Sequence, residues 1–205
     1  MNNKPKRKKL KVGPNLRAFS ADSWQLRPRQ RMAHVSAVLQ VLLKRNLLVP
    51  KGKALDIGTG FGYGAIALSK IGLEVHGFDI CKGRLNEGLS KIVGAENGIK
   101  SAQKVRVNNK LYFSASRSGR VQEKDNSFDI AFSFYTSPYI FESKNLAEYS
   151  RLIKPGGKLV VTTDIDLDNT VTRLANANWG KFTVEHVLSI KGVRDKTVII
   201  FQNKK

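Results

Sequence analysis

Apolar and polar residues follow one another along the chain in blocks that predict strands and helices in turn. The stretch "KALDI" (residues 53–57) predicts a short strand, and "LEVHGFDI" (residues 73–80) predicts a second one that is apolar enough to be buried on both faces. Between them, Ile66, Ala67 and Ile71 recur at helical spacing. The order of strand, loop, helix and strand predicts a βαβ unit whose loop lies at the carboxyl end of the first strand.

The same patterns predict further elements on both sides of this unit. One apolar stripe predicts a helix over residues 31–46. The apolar run in "NSFDIAFSFY" (126–135) predicts a strand, and "NLAEYSRLIKPGGKLVVTT" (145–163) predicts an amphipathic helix, a turn and another strand. In that turn, the proline of Lys-Pro-Gly-Gly (154–157) would end the helix, and the two glycines would supply positive φ angles.

The loop that follows the first predicted strand has glycine at alternate positions: 58, 60, 62 and 64. Such a run indicates that Cβ atoms would obstruct the path of the backbone or the approach of a ligand. Two nucleotide-type ligands use a loop of this kind. The dinucleotide fingerprint G-x-G-x-x-G/A fits Gly60, Gly62 and Ala65, but it leaves Asp56 at the end of the strand without a role. The other frame begins at Asp56 and continues through Gly58, Gly60 and Gly62.

In this second frame, Asp56-x-Gly58-x-Gly60-x-Gly62 closely resembles the glycine-rich motif of the class I S-adenosylmethionine-dependent methyltransferases. Segments 126–135 and 145–163 resemble later parts of that family in the same order, so the resemblance covers about residues 50–165. It implies an α/β fold: a Rossmann-like, doubly wound, mostly parallel seven-stranded sheet with a terminal antiparallel hairpin. The hairpin would pair "FTVEHVLSI" with "DKTVIIFQN" and turn at Lys191-Gly192, after a helix in "DNTVTRLANANW".

The resemblance implies S-adenosylmethionine as the cofactor and places it on the carboxyl ends of the strands. The glycine loop would curve under the methionine part, which Asp56 would orient directly or through water. Asp79 would accept the ribose hydroxyls, as a carboxylate does strongly, and Ile80 would pack on the adenine. Ser116 stands near the position where relatives often carry an acid for the adenine amine. The predicted cofactor-binding residues are Asp56, Gly58, Thr59, Gly60, Gly62, Asp79, Ile80, Ser116 and Phe134.

The acceptor side is predicted in "SFYTSPYI" (133–140), at the carboxyl end of the strand over residues 126–135. Its Ser137-Pro138-Tyr139 resembles the Asn-Pro-Pro-Tyr motif of amino-directed methyltransferases, although Thr136 and Ser137 replace the asparagine and the first proline. The candidate catalytic residues are Tyr135, Ser137 and Tyr139. The alternative is an ordinary loop whose aromatic side chains pack under the cofactor.

Charge is distributed unevenly along the chain, whose formal net charge is +20. Residues 1–31 hold ten Lys or Arg and one acid, and residues 1–20 are predicted to form a mobile basic arm in front of a single methyltransferase domain over 21–205. A second basic stretch covers residues 100–124. Both predict nucleic acid, with RNA favoured, as the partner. The cations of the arm are Lys4, Lys6, Arg7, Lys8, Lys9 and Lys11.

Other features of the sequence narrow the function. A single cysteine, Cys81, and three scattered histidines argue against a metal site, and His76 is predicted to be a packed or hydrogen-bonded residue of a strand. No apolar stretch has the length of a membrane helix or the form of a secretory signal. We therefore expect an intracellular protein, cytoplasmic by default, or nuclear in a eukaryote because the arm resembles an import signal.

Three functions fit these predictions. The first is a nucleic-acid methyltransferase, in which Phe134, Tyr135 and Tyr139 could stack an exposed base. The second is a methyltransferase of metabolites or quinones, which the segment "LIKPGGKLVVTT" resembles at least as well. The third is a non-catalytic module for RNA or ribosome assembly with the same fold, although the intact glycine motif and Asp79 argue against it.

Overall fold

Helices and strands alternate along the chain, as the sequence predicts. A computed structural model describes residues 28–93, 105–134, 140–163, 179–190 and 197–204. The helices are α1 (Pro28–Lys44), α2 (Tyr63–Lys70), α3 (Lys82–Val93) and α4 (Ser143–Leu152). The strands are β1 (Lys53–Ile57), β2 (Glu74–Asp79), β3 (Val105–Asn108), β4 (Leu111–Ala115), β5 (Phe128–Ser133), β6 (Ile153–Thr163), β7 (Phe182–Ser189) and β8 (Thr197–Asn203).

The strands form one sheet in the order β3-β4-β2-β1-β5-β6-β8-β7. Strands β4, β2, β1, β5 and β6 are parallel, and β8 with β7 forms the predicted antiparallel hairpin. Chain order reverses between β1 and β5, so the loops that follow these two strands diverge. In doubly wound sheets, ligands bind in the crevice that this divergence opens. The Rossmann-like α/β fold is therefore confirmed.

The sheet has eight described strands where seven were predicted. The additional strand, β3, pairs antiparallel with β4 at the edge of the sheet, and Arg106 lies opposite Tyr112. The turn between them is tight, since the amide of Lys110 donates to Asn108 Oδ1 over 2.8 Å. Strand β3 has only four residues and belongs to a basic stretch, so its sequence lacks the long apolar run by which the buried strands were recognised.

The segment Lys-Pro-Gly-Gly is not the separate turn that the sequence predicts. Helix α4 ends at Leu152 and β6 begins at once, with Phe128 opposite Ile153 and Ile130 opposite Lys158. Two steps along β5 thus correspond to five along β6, so the segment is a bulge within the strand. Of its two glycines, only the first, at position 156, has a positive φ, of 79°.

Helix α1 begins three residues before its predicted start and ends two before its predicted end. It packs, together with α2, on one face of the sheet, around a core that includes Val38, Leu42 and Phe132. Helix α4 packs on the other face, where Phe128 and Leu152 are buried. Both layers of a doubly wound fold are therefore present.

His76 is fully buried under the α4 face, as predicted for a packed residue. Its Nε2 lies 2.6 Å from Ser114 Oγ, and its Nδ1 lies 3.0 Å from Glu123 Oε1. Among the described helices, none is long and apolar enough to cross a membrane. The arm over residues 1–20 and the turn Lys191-Gly192 lie outside the described residues, as does almost all of the helix predicted over residues 168–179.

Candidate cofactor site

The glycine loop joins the carboxyl end of β1 to the start of α2, beside the switch in strand order. Gly58, Gly60 and Gly62 have φ angles of 66°, 55° and 87°, in the left-handed region that residues with a Cβ rarely adopt. Gly64 serves a different purpose, because a Cβ there would lie 2.7 Å from Asp56 Oδ2. The alternating glycines therefore permit both the curved path of the loop and its close approach to a carboxylate.

Asp56 supports this loop from inside the protein. Its side chain is 1% exposed, and Thr59 Oγ1 donates to its Oδ2 over 2.5 Å. Burial raises the pKa of this carboxyl to about 7, against the hydrogen bonds from Thr59 and the Ala65 amide, which lower it. The structure thus places Asp56 in contact with the loop, and its predicted role toward the methionine group stays a prediction.

Asp79 ends β2, the neighbour of β1, and holds the same loop from the other side. Its Oδ2 accepts the amide hydrogen of Gly60 over 2.8 Å, and its Oδ1 accepts that of Cys81 over 2.7 Å. Burial raises the pKa of Asp79, although these amide bonds oppose the shift. A carboxylate has about four acceptor positions, so these bonds leave room for a ribose hydroxyl. The carboxylate therefore fits the role predicted for it.

A cleft of about 260 Å³ opens beyond Asp79, between the ends of β2 and β4. Ile80 is 56% exposed there and offers an apolar surface for a flat base. Ser116 donates its amide hydrogen to the Asp79 carbonyl over 3.1 Å, and its Oγ lies 2.8 Å from Ser118 Oγ. The cleft is lined by Ile80, Lys82, Ala115, Ser116 and Arg117.

The cleft brings together Ile80 and Ser116, two of the predicted cofactor residues, and adds Lys82 and Arg117 at its rim. The prediction did not include Lys82. No motif marks this residue, since it belongs to the site only because β2 and β4 are paired and end side by side. The residues present suit a nucleoside: a carboxylate for the ribose, an apolar side chain for the base, and a curved glycine loop held by that carboxylate.

Phe134 lies at the end of β5 with its ring in the core. It is 7% exposed and stacks on Phe132, with 5.6 Å between the ring centroids. Its predicted contact with the cofactor stays a prediction. The candidate catalytic residues Tyr135, Ser137 and Tyr139 lie outside the described residues. Within the described part of the chain, no three His, Cys, Asp or Glu side chains are grouped to hold a metal ion.

The sheet order, the glycine loop and the carboxylate at the end of β2 together define a nucleoside-binding fold of the methyltransferase class. Solved structures share this architecture. A methyltransferase dependent on S-adenosylmethionine from Aquifex aeolicus is 19% identical, with a TM-score of 0.62 over 86% of this chain and 94% of that one. Another, from Mesorhizobium loti, is 16% identical, with a TM-score of 0.55 over 82% and 98% of the two chains.

The family follows from the sequence itself. The profile of the family described as "Methyltransferase domain" matches residues 55–161, more than half of the chain. A search of curated protein sequences found no match. The chain belongs to this methyltransferase family, and it is a methyltransferase whose cofactor is S-adenosylmethionine.

Proposed function

We propose that this protein methylates nucleic acid, with RNA favoured, by direct in-line transfer from S-adenosylmethionine. The observation that carries the proposal is charge: the chain has a formal net charge of +20, and both rim cations of the cleft, Lys82 and Arg117, are exposed. Cations in these numbers supply phosphate affinity that does not depend on sequence. A small neutral metabolite would gain nothing from them.

The chain's own contribution is alignment and exclusion of water. When bound, S-adenosylmethionine would supply a methyl group on a sulfonium sulfur. An acceptor atom would form a bond to the methyl carbon in line with the carbon–sulfur bond, which would break with its electron pair left on the sulfur; a proton on the acceptor would pass to solvent. Asp79 and the glycine loop fix the nucleoside and methionine parts, and the cleft takes the base. Alignment of this kind lowers the barrier without a dedicated catalytic base.

The acceptor enters, in this proposal, beside the loop that follows β5. That strand pairs with β1, so its end lies next to the glycine loop. Residues 135–139 of the loop would carry Tyr135 or Tyr139 against a base and Ser137 as a hydrogen-bonding group. Comparing Tyr139→Phe with Tyr139→Ala in single-turnover transfer tests this role. If the ring only stacks, the Phe variant should transfer the methyl group nearly as fast as wild type, and the Ala variant should lose about 1–3 kcal/mol of stacking. If the hydroxyl removes a proton, the transfer rate of both variants should fall about 100-fold or more.

The substrate class is tested with a cofactor that carries a deuterated methyl group. The protein is incubated separately with the total RNA, protein and metabolite pools of its source, and mass spectrometry locates the heavy methyl group. We expect it in RNA. A label found in a metabolite instead would support the alternative of a small-molecule methyltransferase. Absence of label from every pool, in a protein that binds the cofactor, would favour the assembly module.

A further inference from the structure

Ion pairing differs from place to place on the surface of the described residues. On the side of β5, β6 and β7, cations meet carboxylates: Lys154 Nζ lies 2.5 Å from Asp129, and Lys158 Nζ lies 3.0 Å from Glu185. In β3, the turn to β4 and the segment that connects β4 to β5, five exposed cations are not in an ion pair with any described carboxylate. We name this group the basic edge; it consists of Arg106, Lys110, Arg117, Arg120 and Lys124.

The acids that could neutralise the basic edge are engaged elsewhere. Glu123 has a side chain only 14% exposed, and it lies 3.0 Å from His76 Nδ1 inside the protein. Glu148 accepts from the Val121 amide over 3.0 Å and from Arg151 Nη2 over 2.7 Å. Asp125 accepts from the same guanidinium, over 2.7 Å at Nη1.

Arg151 thus acts as an internal counter-charge for the segment that connects β4 to β5. It also donates to the Val121 and Glu123 carbonyls, over 3.2 and 2.9 Å, which fixes the backbone of this segment. The acids of the region are held by one half-buried arginine and one buried histidine. Arg120 also acts electrostatically on Glu148. None of the outward cations has an ion-pair partner among the described residues, so their charge also acts on whatever approaches the basic edge.

We propose that the basic edge binds the phosphodiester backbone of the RNA substrate and leads it to the cofactor cleft from the adenosine end. The choice of RNA rests on the proposed function. Arg117 belongs both to the basic edge and to the lining of the cleft, so the two surfaces are continuous. Three of the five cations are arginines, whose planar guanidinium binds phosphate oxygens in pairs.

The chemistry of the basic edge favours phosphate over a protein or membrane partner. Large exposed apolar side chains among the described residues are Val49, Ile80 and Val184, and none of them belongs to the basic edge. Protein interfaces concentrate aromatic and apolar anchors, and membrane-surface elements carry an apolar face. A row of cations without such anchors suits a polyanionic backbone.

The test compares two four-fold variants of the full chain that change the same net charge. The edge variant is R106Q/K110Q/R120Q/K124Q, and it leaves Arg117 in the cleft. The control variant is K44Q/R45Q/K51Q/K70Q; these cations are also exposed and outside any described ion pair, but they lie near the ends of α1 and α2. Binding of a fluorescein-labelled 20-nucleotide single-stranded RNA is followed by anisotropy at several salt concentrations.

We expect the edge variant to bind at least tenfold more weakly at low salt. Its log–log salt slope should flatten by up to about 2.8, since each phosphate that is no longer neutralised removes about 0.7. The control variant should bind nearly as wild type does. Equal weakening of both variants would overturn the proposal, as would equally effective competition by polyglutamate and unlabelled RNA. Because binding is measured without methyl transfer, RNA that binds at this edge but gains no methyl group overturns the proposed function alone.

Discussion

Two buried carboxylates hold the glycine loop from opposite sides. Asp56 reaches it through Thr59 Oγ1 over 2.5 Å, and Asp79 reaches it through the Gly60 amide over 2.8 Å. The loop is thus fixed by side chains that also have a predicted role toward the cofactor. Changes at these residues should therefore alter cofactor binding before they alter the fold.

Replacing Asp79 with Ala, or Gly60 with Val, should weaken the binding of both S-adenosylmethionine and its demethylated product at least about tenfold, or about 1.4 kcal/mol. The first change removes the carboxylate that is predicted to accept the ribose hydroxyls. The second places a β-branched residue where φ is 55°. Isothermal calorimetry measures both affinities, with Gly83→Ala as a control, because nothing lies within 4 Å of a Cβ there. Unchanged affinity would contradict this assignment of the loop. Preferential binding of a nicotinamide dinucleotide would support the dinucleotide fingerprint instead.

Asp56 should make the stability of the protein depend on pH. Its pKa is raised from 3.8 to about 7 by burial, so the native state holds a proton that the unfolded state releases. The stabilisation from this residue is therefore complete below about pH 4 and is lost as the pH rises through about 7. A tenfold difference in proton affinity between the folded and unfolded states corresponds to about 1.4 kcal/mol of stability.

The measurement is urea unfolding of the wild type and of Asp56→Asn between pH 5 and 8. Asn is neutral at every pH and has nearly the same shape, so the wild type should lose stability relative to the variant as the pH rises. Asp79, whose pKa is also raised, is present in both proteins, so the difference contains its contribution only through its electrostatic interaction with Asp56. A difference that stays constant across this range would show that Asp56 is ionised throughout.

At the scale of elements, the bulge in β6 sets the register between that strand and β5. Gly157 lies at its end, where a Cβ would be 2.8 Å from the Asp129 carbonyl oxygen and 2.7 Å from Ile153 Cγ2. Gly157→Ala should therefore lower the free energy of unfolding by about 1–3 kcal/mol, the usual cost of overpacking. Denaturant unfolding measures the loss.

The matched change is Gly83→Ala in α3, where a Cβ meets nothing. It should leave stability within about 1 kcal/mol of wild type, since alanine is the better helix former. If the two variants unfolded alike, the close approach at Gly157 would not be what requires glycine there.

The sequence predicts the elements whose signals are local. β1, α2 and β2 show their periodicity within a few residues, and the loop between β1 and α2 shows its glycines. The sequence does not predict the bulge in β6, because Lys-Pro-Gly-Gly has the composition of a turn and only the pairing with β5 shows that it lies within a strand. The sequence predicts the cleft only in part, because strand pairing decides which residues line it. Lys82 and Arg117 are 35 positions apart and come together through the pairing of two strands.

For the whole molecule, the predicted arm and the basic edge are two separate sources of positive charge. Deleting residues 1–20 removes seven cations, including six between Lys4 and Lys11. It should weaken nucleic-acid binding and flatten the salt slope by up to about 0.9 for each duplex phosphate that the arm no longer neutralises. Cofactor affinity should be nearly unchanged, since none of the predicted cofactor residues is removed. Identical salt slopes for the full and shortened chains would indicate a solvated tail or a targeting signal.

The central position of β1 also has a consequence for how the protein is made. β1 ends at Ile57, but one of its two neighbours, β5, begins only at Phe128. At a synthesis rate of roughly 5–20 residues per second, about 4–14 seconds pass between the synthesis of the end of β1 and that of the start of β5. One edge of β1 has no strand to pair with during this time. An unpaired apolar strand edge invites pairing with another chain. The nascent chain is therefore exposed to aggregation during this interval, and a chaperone that binds it then would protect the strand on which the glycine loop depends.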